Sequence, residues 1–174
     1  FAALLLPIFS RMLKFGESIS EIVDFSFKTL MVFALVIAVF CCFFSYEIMS
    51  FRYSNYVFEA SSIFIILMIC FICVSSTYIY GTLLTANGNL VYLNIVAALG
   101  VVLNIVLNAV LIPKYYAFGS ALASLITQFL TGFAQIILCL YIFRLSFQNT
   151  FIKLLLFLVG LLIFTYYLKD INIY

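Results

Sequence analysis

The sequence predicts an all-α fold, a polytopic bundle of transmembrane helices, and three observations lead to this prediction. Of its 174 residues, 68% are hydrophobic and 8% are charged, whereas soluble domains carry about 25% charged residues. Charge-free apolar stretches as long as a bilayer crossing alternate with short polar connections. Stretches such as 63–71 and 154–164 also lack the alternation of a membrane β-strand. Helices are therefore expected, because backbone polar groups in hydrocarbon need partners within the chain.

The order of segments follows from the positions of the charges. Residues 1–9 have no signal-peptide features and are interpreted as the end of a preceding helix, in a chain that is itself a fragment. Residues 10–28 mix charged and apolar side chains at helical spacing, which predicts an interfacial amphipathic segment, with an ordinary charged loop as the alternative. Five spans are then predicted at about 29–46, 60–84, 90–112, 120–143 and 152–168.

Orientation follows from the lysines and arginines in the short connections between spans. Asn87-Gly88 is a strong turn signal and joins the second and third spans. With that turn, one side of the membrane receives five basic residues, namely Arg11, Lys14, Lys28, Arg144 and Lys153. The other side receives three, namely Arg52, Lys114 and Lys169. The first side is therefore predicted to be cytoplasmic.

Uncharged polar residues mark two helix faces inside the predicted spans. Asn94, Asn104 and Asn108 share one face of the third span at helical spacing. The fourth span carries a second polar face, formed by Ser124, Thr127, Thr131 and Gln135, with Gln128 beside it. Such faces either pack against another helix or line a hydrated cavity, because lipid offers no hydrogen-bond partner. Both readings remain open, and the candidate cavity residues are Asn104, Asn108, Gln128 and Gln135.

Enzyme chemistry has no support in the sequence. There is no histidine, and no phosphate-binding loop, carboxylate cluster or metal-ligand spacing is visible. Cys70 and Cys73 have a CxxC spacing but lie within an apolar span, so we interpret the cysteines as small core hydrophobes. We therefore expect neither an enzyme nor a cofactor or metal site, and the lack of a basic cluster argues against a nucleic-acid partner.

A family resemblance rests mainly on residues 85–127, which read TANGNLVYLNIVAALGVVLNIVLNAVLIPKYYAFGSALASLIT. Upstream, LLLPIFSRM at residues 4–12 contributes as well. The pattern resembles the C-terminal lobe of polysaccharide flippases of the multidrug/oligosaccharidyl-lipid/polysaccharide superfamily. The matching residues are Asn104, Leu107, Asn108, Leu111, Ile112, Pro113, Lys114, Tyr115, Gly119, Ala121 and Ala123. The segment 116–118 replaces a shorter turn usual in the family, and 88–90 lacks its common basic residue.

Four residues of this region have structural roles that physical reasoning suggests. Gly88 lies in the Asn-Gly turn. Pro113 lacks an amide hydrogen and is expected to end the third span where it leaves the membrane. Gly119 and Ala123 are small and are expected to let the fourth span approach a neighbouring helix closely.

The resemblance implies a transporter of 12–14 helices in two lobes that gives alternating access to a central cavity. This chain would supply later helices of the C-terminal lobe, and its partners would be an N-terminal lobe outside this sequence and membrane lipid. The implied function is flipping of a polyprenyl-diphosphate-linked oligosaccharide across the bacterial inner membrane for surface polysaccharide such as O-antigen. The alternative is a cation-coupled multidrug exporter of the same superfamily. A membrane-bound transferase or a non-transporting scaffold is a further alternative.

Overall fold

The computed structural model describes residues 2–145 and 148–171, with side chains described for 4–145, 150 and 152–166. The all-α prediction is confirmed, because these residues form helices and contain no strand. In chain order the described helices are α1 (Ala2–Phe15), α2 (Ser20–Phe43), α3 (Ser45–Arg52), α4 (Val57–Ala86), α5 (Leu90–Phe143) and α6 (Gln148–Ile171).

Three of the described helices, α2, α4 and α5, are long and apolar enough to cross a membrane. A shorter apolar stretch, Ile152–Tyr166, lies within α6. Together with the composition, these helices identify a membrane protein. At 1.5 Å per residue, the 54 residues of α5 would extend for about 80 Å, far beyond a hydrocarbon core of about 30 Å.

The excess length of α5 is explained by a break at Tyr116, whose φ of 51° and ψ of −130° are not helical. The chain folds back there, so that α5a (residues 90–115) runs antiparallel to α5b (residues 117–143). Asn104 contacts Thr127 across the hairpin, and Gly119 lies against the backbone of Leu111. The reversal falls in the connection that the sequence predicts between the spans at 90–112 and 120–143.

Pro113 does not end the helix, which corrects the sequence prediction. The helix continues through Pro113, and the backbone leaves helical geometry three residues later at Tyr116. A proline disturbs the turn that precedes it, where its ring and missing N–H act, and it leaves the following residues free to remain helical.

Helix α4 lies at the centre of the bundle and contacts α1, α2, α3 and α5. Its residues Ile79, Tyr80, Leu83 and Leu84 are completely buried. The rings of Tyr80 and Phe27 of α2 lie 5.2 Å apart, centroid to centroid, in a tilted arrangement that aromatic pairs favour. Helix α6 contacts α2, where Asp24 accepts hydrogen bonds from both Thr150 of α6 and Lys28.

The predicted amphipathic segment at 10–28 is divided between two helices. Helix α1 ends at Phe15, and Gly16 has a left-handed φ of +69°. The Glu17 amide then donates to the Met12 carbonyl at 2.9 Å, which is a Schellman-type helix end. In the second half, Val23 and Phe27 belong to the buried core formed with α4. Their side chains therefore pack within the protein rather than against lipid, and the interfacial position of the segment stays a prediction.

The predicted orientation leads to a labelling experiment on Lys14 and Lys114, which are both exposed. In a variant lacking the five native cysteines, we expect Lys14→Cys and Lys114→Cys to react with an impermeant thiol reagent from opposite sides of the membrane. Lys14→Cys should react from the cytoplasmic side. Reaction of both positions from the same side would contradict the five-span topology.

Candidate functional site

A cavity of about 490 Å³ lies between α4, α5a and α5b. Its polar side chains come from all three segments: Thr77 on α4, Asn104 on α5a, and Ser124, Thr127, Gln128, Thr131 and Gln135 on α5b. The remaining wall is formed by small or apolar residues of α5a, including Ala97 and Gly100. None of the described residues that line this polar cavity is charged.

The structure brings three of the four candidate cavity residues together. Asn104, Gln128 and Gln135 line the polar cavity, although they come from two separate helical segments. Asn108 is not part of the lining. Its Nδ2 donates to the backbone carbonyl and to the Oδ1 of Asn104, both at 2.9 Å, so it supports Asn104 from the next helical turn.

Hydrogen bonding gives these side chains different roles. Asn104 Nδ2 donates to Thr127 Oγ1 across the α5 hairpin at 3.3 Å, which is an interhelical bond of the kind that holds membrane helices together. Within the part of the chain that the structure describes, the Gln128 side chain makes no hydrogen bond. The side chain of Asn104 therefore takes part in helix packing, whereas the amide of Gln128 can form hydrogen bonds with a molecule in the cavity.

Gln135 is the most enclosed of the cavity amides. Its side chain is only 9% exposed, and its Oε1 has no hydrogen-bond partner among the described residues. A Cβ at Gly81 would lie 3.3 Å from that oxygen, so the glycine leaves room for the amide. A buried acceptor without a donor costs free energy. The cavity therefore suits water, or a ligand carrying hydroxyl or N–H groups.

A second, more open cleft of about 300 Å³ adjoins the polar cavity at Thr77. Its lining includes Leu6 of α1 together with Thr82 and Thr85 near the end of α4. Hydroxyl groups thus extend from the polar cavity towards the α4–α5 turn, the end that the sequence predicts to be cytoplasmic.

The contribution of α4 to the polar cavity is missed by the sequence analysis. Thr77 lines the cavity, and Gly132 brings α5b so close to α4 that a Cβ there would lie 3.3 Å from Thr77 Cγ2. The run Ser75-Ser76-Thr77, inside an otherwise apolar span, is the signal that could have identified this wall. Such a run does not by itself identify a cavity wall, because small hydroxylated residues are common in membrane helices for packing reasons alone.

The residues predicted to have structural roles occupy tight positions. Gly88 has a left-handed φ of +77°, and the Asn89 amide donates to the Leu84 carbonyl at 2.9 Å to close the end of α4. Gly119 and Ala123 are buried. Both lie on α5b, where the close neighbour of Gly119 is the final turn of α5a.

Residues 2–145 and 148–171 contain no group of three or more His, Cys, Asp or Glu side chains that could hold a metal ion. The cysteines are free thiols.

Compared with models of protein families, with curated proteins and with solved structures, the chain matches none of them. The structure therefore defines a helical membrane protein with an uncharged polar cavity between three of its helical segments.

Proposed function

We propose that this chain is part of a transporter that moves a polyprenyl-diphosphate-linked oligosaccharide across the bacterial inner membrane for surface polysaccharide synthesis. The observation that carries the proposal is the polar cavity, on which the polar faces of α5a and α5b converge. Lipid offers no hydrogen-bond partner to polar groups. Polar side chains that converge on a cavity inside a membrane bundle therefore favour a bound substrate or water as their partner. The resemblance of residues 85–127 to polysaccharide flippases supports the proposal independently.

The chemistry of the lining suits the sugar part of such a substrate. Amide and hydroxyl side chains both donate and accept hydrogen bonds, which matches the many hydroxyl groups of an oligosaccharide. The diphosphate calls for cations, and none lines the polar cavity among the described residues. Diphosphate binding is therefore assigned to an N-terminal lobe outside this sequence. Rocking of the two lobes would expose the cavity alternately to each side.

The alternative, a cation-coupled multidrug exporter, receives less support from the cavity. Intramembrane proton or cation relays are built from ionisable side chains such as Asp and Glu. The described residues that line the polar cavity include no carboxylate, so an exporter would need its carboxylate in an N-terminal lobe outside this sequence, whereas the lining itself suits the hydroxyl groups of a sugar.

The proposal is tested by comparing Gln128→Leu with Asn104→Leu in cells that depend on this protein for surface polysaccharide export. We expect Gln128→Leu to reduce export while the amount of protein in the membrane stays unchanged, because its amide bonds no other helix. Asn104→Leu should reduce the amount of protein first, since it loses an interhelical hydrogen bond worth about 0.6 kcal/mol on average.

Phe129→Leu is the matched control, because Phe129 neighbours Gln128 on α5b but is exposed and does not line the polar cavity. It should leave both export and protein level unchanged. Gln135→Leu should behave like Gln128→Leu in export. Full export at normal protein level in both glutamine variants would overturn the proposed role of the cavity.

A further inference from the structure

One end of the bundle carries a concentration of exposed aromatic residues. Helices α4 and α5a are antiparallel and joined by the turn at 87–89, so the first residues of α4 and the last residues of α5a lie at the same end of the bundle. The connection between α2 and α4 and the fold-back of α5 therefore meet at this end. We call it the aromatic end, and its members are Phe51, Tyr53, Tyr56, Phe58, Tyr115 and Tyr116.

The part of the chain that the structure describes leaves these rings exposed. Phe51 is 96% exposed, Tyr56 79% and Tyr116 78%. A phenylalanine ring has no polar atom to interact with water, and aromatic side chains gain most when they bury 150–250 Å² each. Their surroundings must therefore supply an apolar contact that the described chain does not provide.

Backbone strain at two of these positions points the same way. Tyr56 and Tyr116 have positive φ angles of 58° and 51°. Sparsely populated backbone conformations cost an L-residue about 1–3 kcal/mol, whereas glycine adopts positive φ freely. Neither ring is buried by the described chain, so the contacts of these two side chains within it do not offset that cost. An apolar phase outside the described chain is left to receive the rings.

The position of the aromatic end identifies that phase. Helix α2 ends at Phe43 and α4 begins at Val57, so the intervening α3 and its loop lie where two membrane-spanning helices emerge. Aromatic belts occupy this depth in membrane proteins. Arg52 and Lys114 adjoin the aromatic residues in the two connections, and basic side chains at helix ends reach the interface, where lipid phosphates lie. Glu47 and Glu59 lie at the same end, so the rings rather than a net positive charge favour lipid.

We propose that the aromatic end is a lipid-binding surface that rests in the headgroup region of one leaflet. The rings of Phe51 and Phe58 reach the boundary of the acyl chains, and Arg52 and Lys114 face lipid phosphates. This surface holds α3 and the α5 fold-back at a fixed depth. The inference does not depend on the proposed transport function, because it concerns the ends of the helices rather than the polar cavity.

The test uses the absence of tryptophan from the 174-residue chain. Phe51→Trp and, separately, Tyr116→Trp introduce a single fluorophore at an exposed position in each of the two connections. The proteins are reconstituted into vesicles of phosphatidylcholine and phosphatidylglycerol whose acyl chains are brominated at shallow or deep positions. We expect both tryptophans to be quenched several-fold more by shallow than by deep bromine, and weakly by aqueous iodide.

Leu156→Trp, at an exposed position in the apolar stretch of α6, is the control and should be quenched most by deep bromine. Strong iodide quenching without bromine quenching at Phe51→Trp would place this end in water and overturn the proposal. Protection from both quenchers would mean that protein covers the surface, which also overturns it. Shallow quenching in one connection alone would refute a single shared surface.

Discussion

Gly119→Ala is expected to cause a severe loss of folded protein. A Cβ at this position would lie 2.4 Å from the carbonyl oxygen of Leu111 and 2.7 Å from its carbonyl carbon. These are backbone atoms, so no side-chain rotation can relieve the clash, and the fold-back of α5 must open. Overpacking typically costs about 1–3 kcal/mol, and a clash with backbone is expected at the upper end of that range.

The matched control is Gly160→Ala. Gly160 lies in the interior of α6, and a Cβ there would meet nothing within 4 Å. Because alanine is the better helix former by about 1 kcal/mol, this variant should be neutral or slightly more stable. Both variants are measured by thermal unfolding in detergent and by the amount of protein in the membrane. Equal stability of Gly119→Ala and the native protein would show that the hairpin is not closed at Leu111.

Ala123→Leu is expected to have the second largest effect. Ala123 is completely buried, and its carbonyl oxygen accepts the Thr127 hydroxyl at 2.8 Å in the structure. A leucine adds three carbon atoms where no space is open, which forces α5b away from its neighbours. We expect a loss of about 1–3 kcal/mol in the free energy of unfolding and a lower amount of protein in the membrane.

Ala109→Leu makes the same change at an exposed position of α5a. It should leave the amount of protein in the membrane unchanged, because the added carbons enter lipid. A normal level for Ala123→Leu would mean that its face of α5b is open. A loss for both variants would mean that added bulk anywhere on α5 is harmful, and the tight-contact explanation would then fail.

Much of the bundle could be predicted from the sequence because membrane helices are specified by length and charge. The charge-free run of residues 60–113 is too long for one crossing, and the Asn-Gly turn divides it where α4 ends. The polar face containing Gln128 and Gln135 could likewise be predicted, because three- and four-residue spacing fixes which side chains share a helix face.

The spacing of residues does not reveal whether a helix face meets lipid or another helix. The main differences between the predicted and the observed structure arise for this reason. An apolar stripe such as Val23 and Phe27 has the same period whether it faces lipid or protein, and here it packs on α4. Thr77 reaches the polar cavity because Gly132 allows α4 and α5b to approach closely. This contact depends on both helices and cannot be read from either one alone. The backbone break likewise falls at Tyr116 rather than at Pro113, and residue spacing does not fix its position.

The contacts that enclose the polar cavity join helices that are neighbours along the chain. Asn104 and Thr127 are separated by 23 residues, and α4 directly precedes them. Contacts that are close in sequence form rapidly because little chain entropy is lost in making them. As synthesis proceeds from the N-terminus, the cavity walls can assemble before α6 has left the ribosome. Helix α6 would then add to the outside of the bundle, where it contacts α2 and Thr150 donates to Asp24, without touching the walls of the cavity in the part of the chain that the structure describes.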